Sequence, residues 1–513
     1  MALLLASCAA PGAAPAEQMD VQVSTLPVNG YPYPVPPTHA APPPVSTLPQ
    51  PAATQESVPS PTEPAGYIYH VQAGDTLAAL ARRFGMPAET IQSDQTLPET
   101  GYLPIGQKLY LPGELHPGVP QAPLLPDSEV IYSPSAATFD VSQCVQAAGG
   151  YLSGHGEYLR STGWNSAAEI TSRVAQEFSI NPQLLLSLLE YECGCLRGSL
   201  RDGIDPDYLL GVPGYRNKGL YHQLEWAANQ LSQGYYGWRS GALIEFQAAD
   251  GIISRPAPGL NAGSVALAYY FGQKAASESG EAPSWQSAID PNSGLPALHT
   301  ELFGDLWKRD AANGPLLPDG LSQPTLVLPF EPGVLWSYSS GPHAAWGTQG
   351  SQAALDFAPA VPISGCVQTD AWVVAVADGL VVRSELGVVV QDLYLSQAEK
   401  PIDGLEQTGW AIVYLHIEER GRVTKGTYLR AGERIGHPSC EGGRANGTHV
   451  HVARKYNGEW IAADGPVPFV LSGWTAHAGD SPYKGTLTLG KTTLVAHPNG
   501  SRETQIMKTD DVP

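Results

Sequence analysis

Long apolar runs, basic clusters and cysteine are what this chain has little of. No stretch of 18 or more apolar residues occurs among its 513, so no segment is expected to cross a bilayer as an integral helix. Lys and Arg number 28 against 49 Asp and Glu, a formal charge of −21. That balance excludes a nucleic-acid partner, which calls for clustered positive charge, and mainly keeps the protein soluble. Cysteine is scarce at six, and the five beyond Cys8 (Cys144, Cys193, Cys195, Cys366 and Cys440) fit an oxidising compartment. Cys193 and Cys195 with a single further partner are too few ligands for a structural metal. Cys144 is therefore expected to bridge to Cys195 or Cys193, with one thiol left over.

What the chain does have is length, 55 Gly and 47 Pro. The length exceeds what one core supports, and the Gly and Pro content points to many turns and long linkers. The reading is multidomain. A signal (1–8) and a Pro/Ala/Ser-rich tether (9–66) precede a small βααβ module (67–112). A linker (113–134) leads to an all-α helical module (135–310). A Pro-rich linker (311–327) joins this to a C-terminal all-β antiparallel module (328–475), followed by an extension (476–513) of strand-like character. The tether lacks apolar periodicity and cannot bury a core.

Leu3-Leu4-Leu5-Ala6-Ser7-Cys8 resembles a bacterial lipobox, shortened by loss of its basic and most of its apolar region. The resemblance implies export, lipidation of Cys8 and anchoring at the outer face of a membrane. In the first folded module, His70-Val71-Gln72-Ala73-Gly74-Asp75-Thr76-Leu77 reads as strand, turn and helix cap. Asp75 or Thr76 caps a helix carrying Leu77, Leu80, Ala81 and Phe84, and a second short helix is expected over 88–93. VQAGDTL and IGQKLYLP together resemble a LysM domain. That resemblance implies binding of N-acetylglucosamine-containing glycan such as peptidoglycan.

In the helical module Asn181-Pro182 marks a helix start. On a helical wheel the stripe of Leu184, Leu185, Leu188 and Leu189 centres on Glu192, while Glu190 falls on the opposite, polar side. A carboxyl in an apolar stripe has a raised pKa and suits a general acid toward a glycosidic oxygen. The segment is similar to the catalytic helix of lytic transglycosylases, although Cys193 stands where that family has Ser. The other reading is an acid that caps or pairs within a helical scaffold. Tyr235, Tyr236, Tyr269 and Tyr270 are candidate sugar platforms.

The C-terminal module holds the densest chemistry. His449-Val450-His451 places two imidazoles on one face of a strand. With 13 His in the chain, chance yields about 0.3 such pairs, so its company decides the matter. His343 and Asp356 lie in GPHAAWGTQGSQAALDFAP, and His416 ends the strand-like run GWAIVYLHI. Further strand-like runs cover 372–376, 379–382, 388–390, 423–425, 429–432 and 434–436, with Ala377-Asp378-Gly379 read as a hairpin turn between the first two. Cys366 and Cys440 fall in the same module and are paired. Two His and one Asp form a three-ligand zinc set with a fourth position open for water.

These residues resemble peptidase family M23, the peptidoglycan endopeptidases. The twelve residues between His343 and Asp356, and the segment Pro438-Ser439-Cys440-Glu441-Gly442-Gly443, match its β-lytic subgroup. By position, the resemblance makes His343, Asp356 and His451 zinc ligands. His449 becomes the base that takes a proton from water, and His416 the partner of the oxyanion or leaving amine. It also supports the Cys366–Cys440 bridge. The expectation is a monomeric, zinc-dependent cell-wall hydrolase of the cell envelope that cuts stem or cross-bridge peptides and touches the membrane through its lipid alone. The alternative is a non-catalytic wall-binding scaffold that activates other hydrolases.

Overall fold

The computed structural model describes residues 66–112, 118–274, 285–361, 365–393 and 402–509. Cys8 and the tether up to residue 65 lie outside the described residues, so the lipid-anchor expectation does not meet the structure. Among the described residues no helix is long and apolar enough to cross a membrane.

Alternating apolar residues draw β1 (Gly66–His70) and β3 (Lys108–Pro112) into antiparallel register, Gly66 opposite Pro112 and His70 opposite Lys108. The helix α1 (Leu77–Phe84) starts at Thr76, whose hydroxyl accepts from Ala79 N–H, and stops at Gly85 in the left-handed conformation. Asp75 is not the cap. It is buried, accepting from Tyr69 OH and Gln72 N–H and pairing with Arg83 at 2.9 Å. The expected second helix is not formed either: 88–90 make one tight 3₁₀ turn after Pro87, and Gln92–Ser93 (β2) pairs with β3. Ile91 is pulled into the core between them, and three residues cannot sustain a helix.

The helical region holds α2 (Val141–Ala148), α3 (Ala167–Phe178), α4 (Pro182–Cys193), α5 (Leu220–Ser240), α6 (Ala262–Gln273), α7 (Trp285–Ala288), α8 (Leu295–Phe303) and α9 (Leu306–Asn313). It is not purely helical, because β4 (Gly156–Leu159) pairs with β5 (Gly163–Ser166), and β6 (Phe246–Gln247) with β7 (Ile253–Ser254). Asn181 caps α4 and Pro182 is its first residue, as expected. Gly194 then turns the chain back at φ 65°. That turn brings the Cα atoms of Cys193 and Cys195 within 5.1 Å, and the two form a disulfide with each other. The expected bridge from Cys144 to either is therefore absent; Cys144 is buried outside both disulfides. The same reversal corrects the wheel argument. Glu190 is buried, because its carboxylate accepts from the Leu196 and Arg197 amides and pairs with Arg197.

The C-terminal sheet contains β8 (Leu335–His343), β9 (Ala354–Pro359), β11 (Gly379–Glu385), β12 (Val388–Leu393), β13 (Trp410–Leu415), β14 (Tyr428–Leu429), β16 (Val450–Tyr456), β17 (Glu459–Trp460) and β22 (Gln505–Met507), all antiparallel. Its order is β14-β11-β12-β13-β16-β9-β8-β22, with β17 beside β16. The expected hairpin at Ala377-Asp378-Gly379 does not form: β10 (Val373–Val374) leaves the sheet to pair with β15 (Arg434–Gly436). The segment from 476 is not a separate extension. One strand, β19 (Trp474–Ala478), crosses that boundary within a four-stranded sheet with β18 (Val470–Leu471), β20 (Gly485–Leu489) and β21 (Thr492–Val495), and β22 closes the edge of the main sheet.

Buried charge ties these parts together. Arg239 of α5 donates to Ala73 O in the small module, pairs with Asp127 at 2.9 Å and with Glu459 of β17 at 2.9 Å. Within the main sheet Glu406 serves both Arg383 at 2.9 Å and Lys455 at 2.7 Å, and all three are buried. Burial would raise Glu406, but the two cations outweigh it and hold it down at about 2. Removing one member of such a group leaves uncompensated buried charge. Glu406→Ala is expected to destabilise the protein by about 3–5 kcal/mol, read as a shift in the chemical-denaturation midpoint against an exposed control such as Glu503→Ala.

Candidate metal centre

Three adjacent strands deliver three ligands. His451 of β16 stands directly opposite Asp356 of β9, so their side chains share a face. His343 ends β8, where a register shift after Ser340 turns its ring toward the same spot. His343 Nε2 lies 3.0 Å from His451 Nδ1 and 3.3 Å from Asp356 Oδ1, and His451 Nδ1 lies 3.2 Å from that oxygen.

Backbone carbonyls define the tautomers. A carbonyl only accepts, so a ring nitrogen bonded to one carries the proton. His343 Nδ1–H donates to Gly341 O at 2.8 Å and His451 Nε2–H to Ala345 O at 3.0 Å. In the neutral rings, the nitrogens that face each other both present lone pairs toward a carboxylate oxygen that accepts no hydrogen bond. Three acceptors this close repel unless a cation stands among them. Ligand bonds of about 2.0–2.1 Å in a tetrahedron give edges of about 3.3 Å, and the observed spacing fits.

His449 and His416 complete the surroundings. His449 Nε2 is 3.7 Å from Asp356 Oδ2, and its Nδ1–H donates to Gly447 O at 2.8 Å. Its ring centroid is 4.5 Å from that of His416. His416 lies one residue beyond β13 with φ 67°, a conformation that swings its ring out of the strand's alternation. Its Nδ1–H donates to Glu441 O at 2.9 Å. The disulfide Cys366–Cys440 forms as expected and anchors the residue next to Glu441. Gly442 and Gly443 follow with φ near 70°, where a side chain on Gly442 would strike Leu386 O. Burial first, then the neighbouring His449 and His451, push His416 down to about 3.

One residue at this centre was missed. Tyr483 comes from the β19–β20 connection, and its ring stacks on His343 at 4.5 Å. It lies in the segment read as an extension, and nothing local in DSPYKG signals a contact formed 140 residues away in sequence.

Other candidates have different places. The Glu192 carboxylate is paired with Lys274, not with this centre, and its second oxygen is buried without a partner. Burial raises Glu192, and Lys274 and Arg201 lower it without cancelling that rise. The four tyrosines are not sugar platforms, since all are buried. Tyr235 OH donates to Glu459 and Tyr236 OH accepts from Trp460 N–H, so these two join the helices to β17. Tyr270 packs edge-on to Trp226 and Tyr269 to Phe246. The loop between His343 and Asp356 rests on the helices, with Thr348 N–H donating to Asn229 at 3.3 Å and Gly347 against Phe178.

Protons and cation compete here. Burial lowers His343, but Asp356 outweighs it and leaves the ring raised above the ordinary histidine value. A raised pKa means the proton persists to higher pH and must leave before the lone pair can bind a metal. Metal affinity is expected to fall as pH falls, by about tenfold per unit for each proton displaced. Metal content after dialysis between about pH 8 and pH 5 checks this; equal retention throughout would refute the competition.

Residues 123–315 match the family described as LasA, N-terminal domain, and residues 69–112 match the LysM domain. Protease LasA of Pseudomonas aeruginosa strain UCBPP-PA14 is 26% identical over 359 residues, covering 66% of this chain and 75% of the relative. The same protease from strain PAO1 gives the same figures. Among solved structures, the M23 metalloprotease pseudoalterin, described as from the deep sea, shows 22% identity over 34% of this chain and 96% of its own, with a TM-score of 0.28. The lysostaphin catalytic domain of Staphylococcus simulans shows 20% identity over 25% and 87%, with a TM-score of 0.17. The chain thus carries a LysM domain and a LasA N-terminal domain, and it is a homologue of protease LasA.

Proposed function

We propose that the chain is a zinc-dependent endopeptidase that cuts peptide bonds of peptidoglycan, in stems or cross-bridges, and is held on the wall by its LysM domain. The observation that carries this reading is the convergence of three potential ligand atoms, His343 Nε2, His451 Nδ1 and Asp356 Oδ1, within 3.3 Å of one another beside two further imidazoles. Those three residues would hold the zinc. When bound, the ion lowers the pKa of a coordinated water toward neutrality and polarises a scissile carbonyl.

The protein's own groups handle the protons. His449 has its Nδ1–H committed to Gly447 O, so its Nε2 lone pair faces Asp356 and is placed to take a proton from water. That proton can pass to the leaving amine. His416 likewise keeps Nδ1–H on Glu441 O and presents a lone pair, so it donates only after taking up a proton. Its role toward an oxyanion therefore depends on proton uptake that burial opposes. Tyr483 covers one face of His343 and restricts the ligand's rotation.

The LysM domain raises the effective concentration of the centre on glycan rather than supplying tight single-site binding. A cell-envelope location and a lipid at Cys8 belong to this proposal. A scaffold that only activates other hydrolases has no use for an intact ligand set, which counts against that reading. The helical region enters as scaffold, with Glu192 held by Lys274.

A chelator should abolish clearing of a cell-wall gel, and added zinc should restore it. His449→Ala should retain zinc while kcat falls by about 10²–10⁴-fold; retained activity would remove His449 as the base. Glu192→Gln is expected to leave the glycan fragments released from peptidoglycan unchanged by mass analysis, and loss of such fragments would make Glu192 an acid after all.

A further inference from the structure

The loop from Cys440 to His449 borders the metal centre and is clamped at both ends to one other segment of chain. The Cys366–Cys440 disulfide ties its start. At its end the Thr448 hydroxyl accepts from Val367 N–H at 2.8 Å and donates to Val367 O at 2.5 Å, while Thr448 N–H donates to Gly365 O at 3.0 Å. Between the clamps Gly442 and Gly443 turn the backbone, and Gly442 is seated against Leu386 O and Leu415. A Cβ on Gly443 would lie 3.8 Å from His416 Cε1, so Arg444 leaves the backbone beside an imidazole of the centre.

Arg444 is exposed and, among the described residues, makes no ion pair. The acids around it are already engaged. Glu441 accepts from Glu419 N–H at 2.9 Å and lies 3.7 Å from Arg422. On α5, Glu225 holds His222 at 2.9 Å, and Glu157 accepts from Tyr221 N–H at 3.3 Å. The hydrogen bond to Glu225 raises His222, and Arg444 works against that rise, so the guanidinium charge reaches the first turn of α5. An arginine on a loose loop is merely solvated. On a doubly clamped loop its planar fork is placed before a ligand arrives, which lowers the ordering cost of binding. Such a fork pairs two-pronged with a carboxylate. At −21 the chain repels anions in general, so an acidic peptide approaching Asp356 needs a local cation.

We propose that Arg444 is a specificity residue of the peptidase site: its guanidinium receives a free carboxylate of the peptide substrate and so orients that peptide across the metal centre. The proposal rests on the endopeptidase reading above and adds that the preferred substrate is anionic close to the bond that is cut.

The test compares a cross-linked stem-peptide dimer with its carboxylates free and the same dimer with them converted to primary amides. The zinc-loaded full chain is assayed for kcat/KM on each form, and the metal-free chain is titrated with each by calorimetry, a readout independent of turnover. The unsubstituted chain is expected to favour the free acid by about fivefold or more in both readouts. Arg444→Ala should bring that ratio to about one, and Arg444→Glu should invert it. Melting curves and zinc content matching the unsubstituted protein verify that both variants fold. Arg430→Ala, at an exposed arginine beside the edge strand β14, should keep the preference. If the unsubstituted chain cleaves both forms equally well, or if Arg444→Ala and Arg444→Glu keep its preference, the assignment of Arg444 falls and the endopeptidase reading stands. If the zinc-loaded chain cleaves neither form, both fail together.

Discussion

Two lone pairs and a carboxylate oxygen held within 3.3 Å of each other are electrostatically untenable in a buried place without a positive charge among them. The sheet creates that situation by register. Asp356 and His451 face each other across one strand pair, and His343 arrives from the next strand through a bulge. Carbonyls behind each imidazole fix which nitrogen points inward, which is the supporting layer that a metal site requires. The β-rich part of the chain can be read as a device for bringing these three atoms together.

The rest of the described chain packs against that device. The hairpin β16–β17 leads from His451 to Glu459 and Trp460, and these meet Arg239, Tyr235 and Tyr236 of α5. The helices therefore do not hang beside the metal centre. They grip the strand that carries one ligand and support the loop that separates the other two. Tyr235 and Tyr236 of α5 are spent on this packing, and Tyr269 and Tyr270 of α6 on Phe246 and Trp226 within the helical region, so none is available as a surface for sugar.

Much of the centre was legible in the chain because its parts are short-range or chemically specific. His449 and His451 alternate on one strand, His343 and Asp356 flank a loop, and the segment Pro438 to Gly443 carries a family resemblance. The Asn181-Pro182 helix start and the Cys366–Cys440 bridge were legible for similar reasons. What could not be read depended on contacts distant in sequence or on a local reversal. Gly194 folds Cys195 back onto Cys193, which no spacing rule distinguishes from a bridge to Cys144. A helical wheel treats Glu190 as solvent-facing until the returning chain covers it. Tyr483 reaches His343 only once two sheets have assembled.

The small N-terminal domain is riveted to α5 by its own Arg83, which donates to Trp238 O and lies over the Trp238 ring, while Arg239 reaches back to Ala73. Such a seam is unlike a bead on a string. Excising residues 66–112 would wet an indole, a guanidinium and the flank of Leu317 at one stroke, and a foreign carbohydrate-binding module grafted in its place would lack the matching arginine. Transplantation of this domain thus has to carry its socket with it.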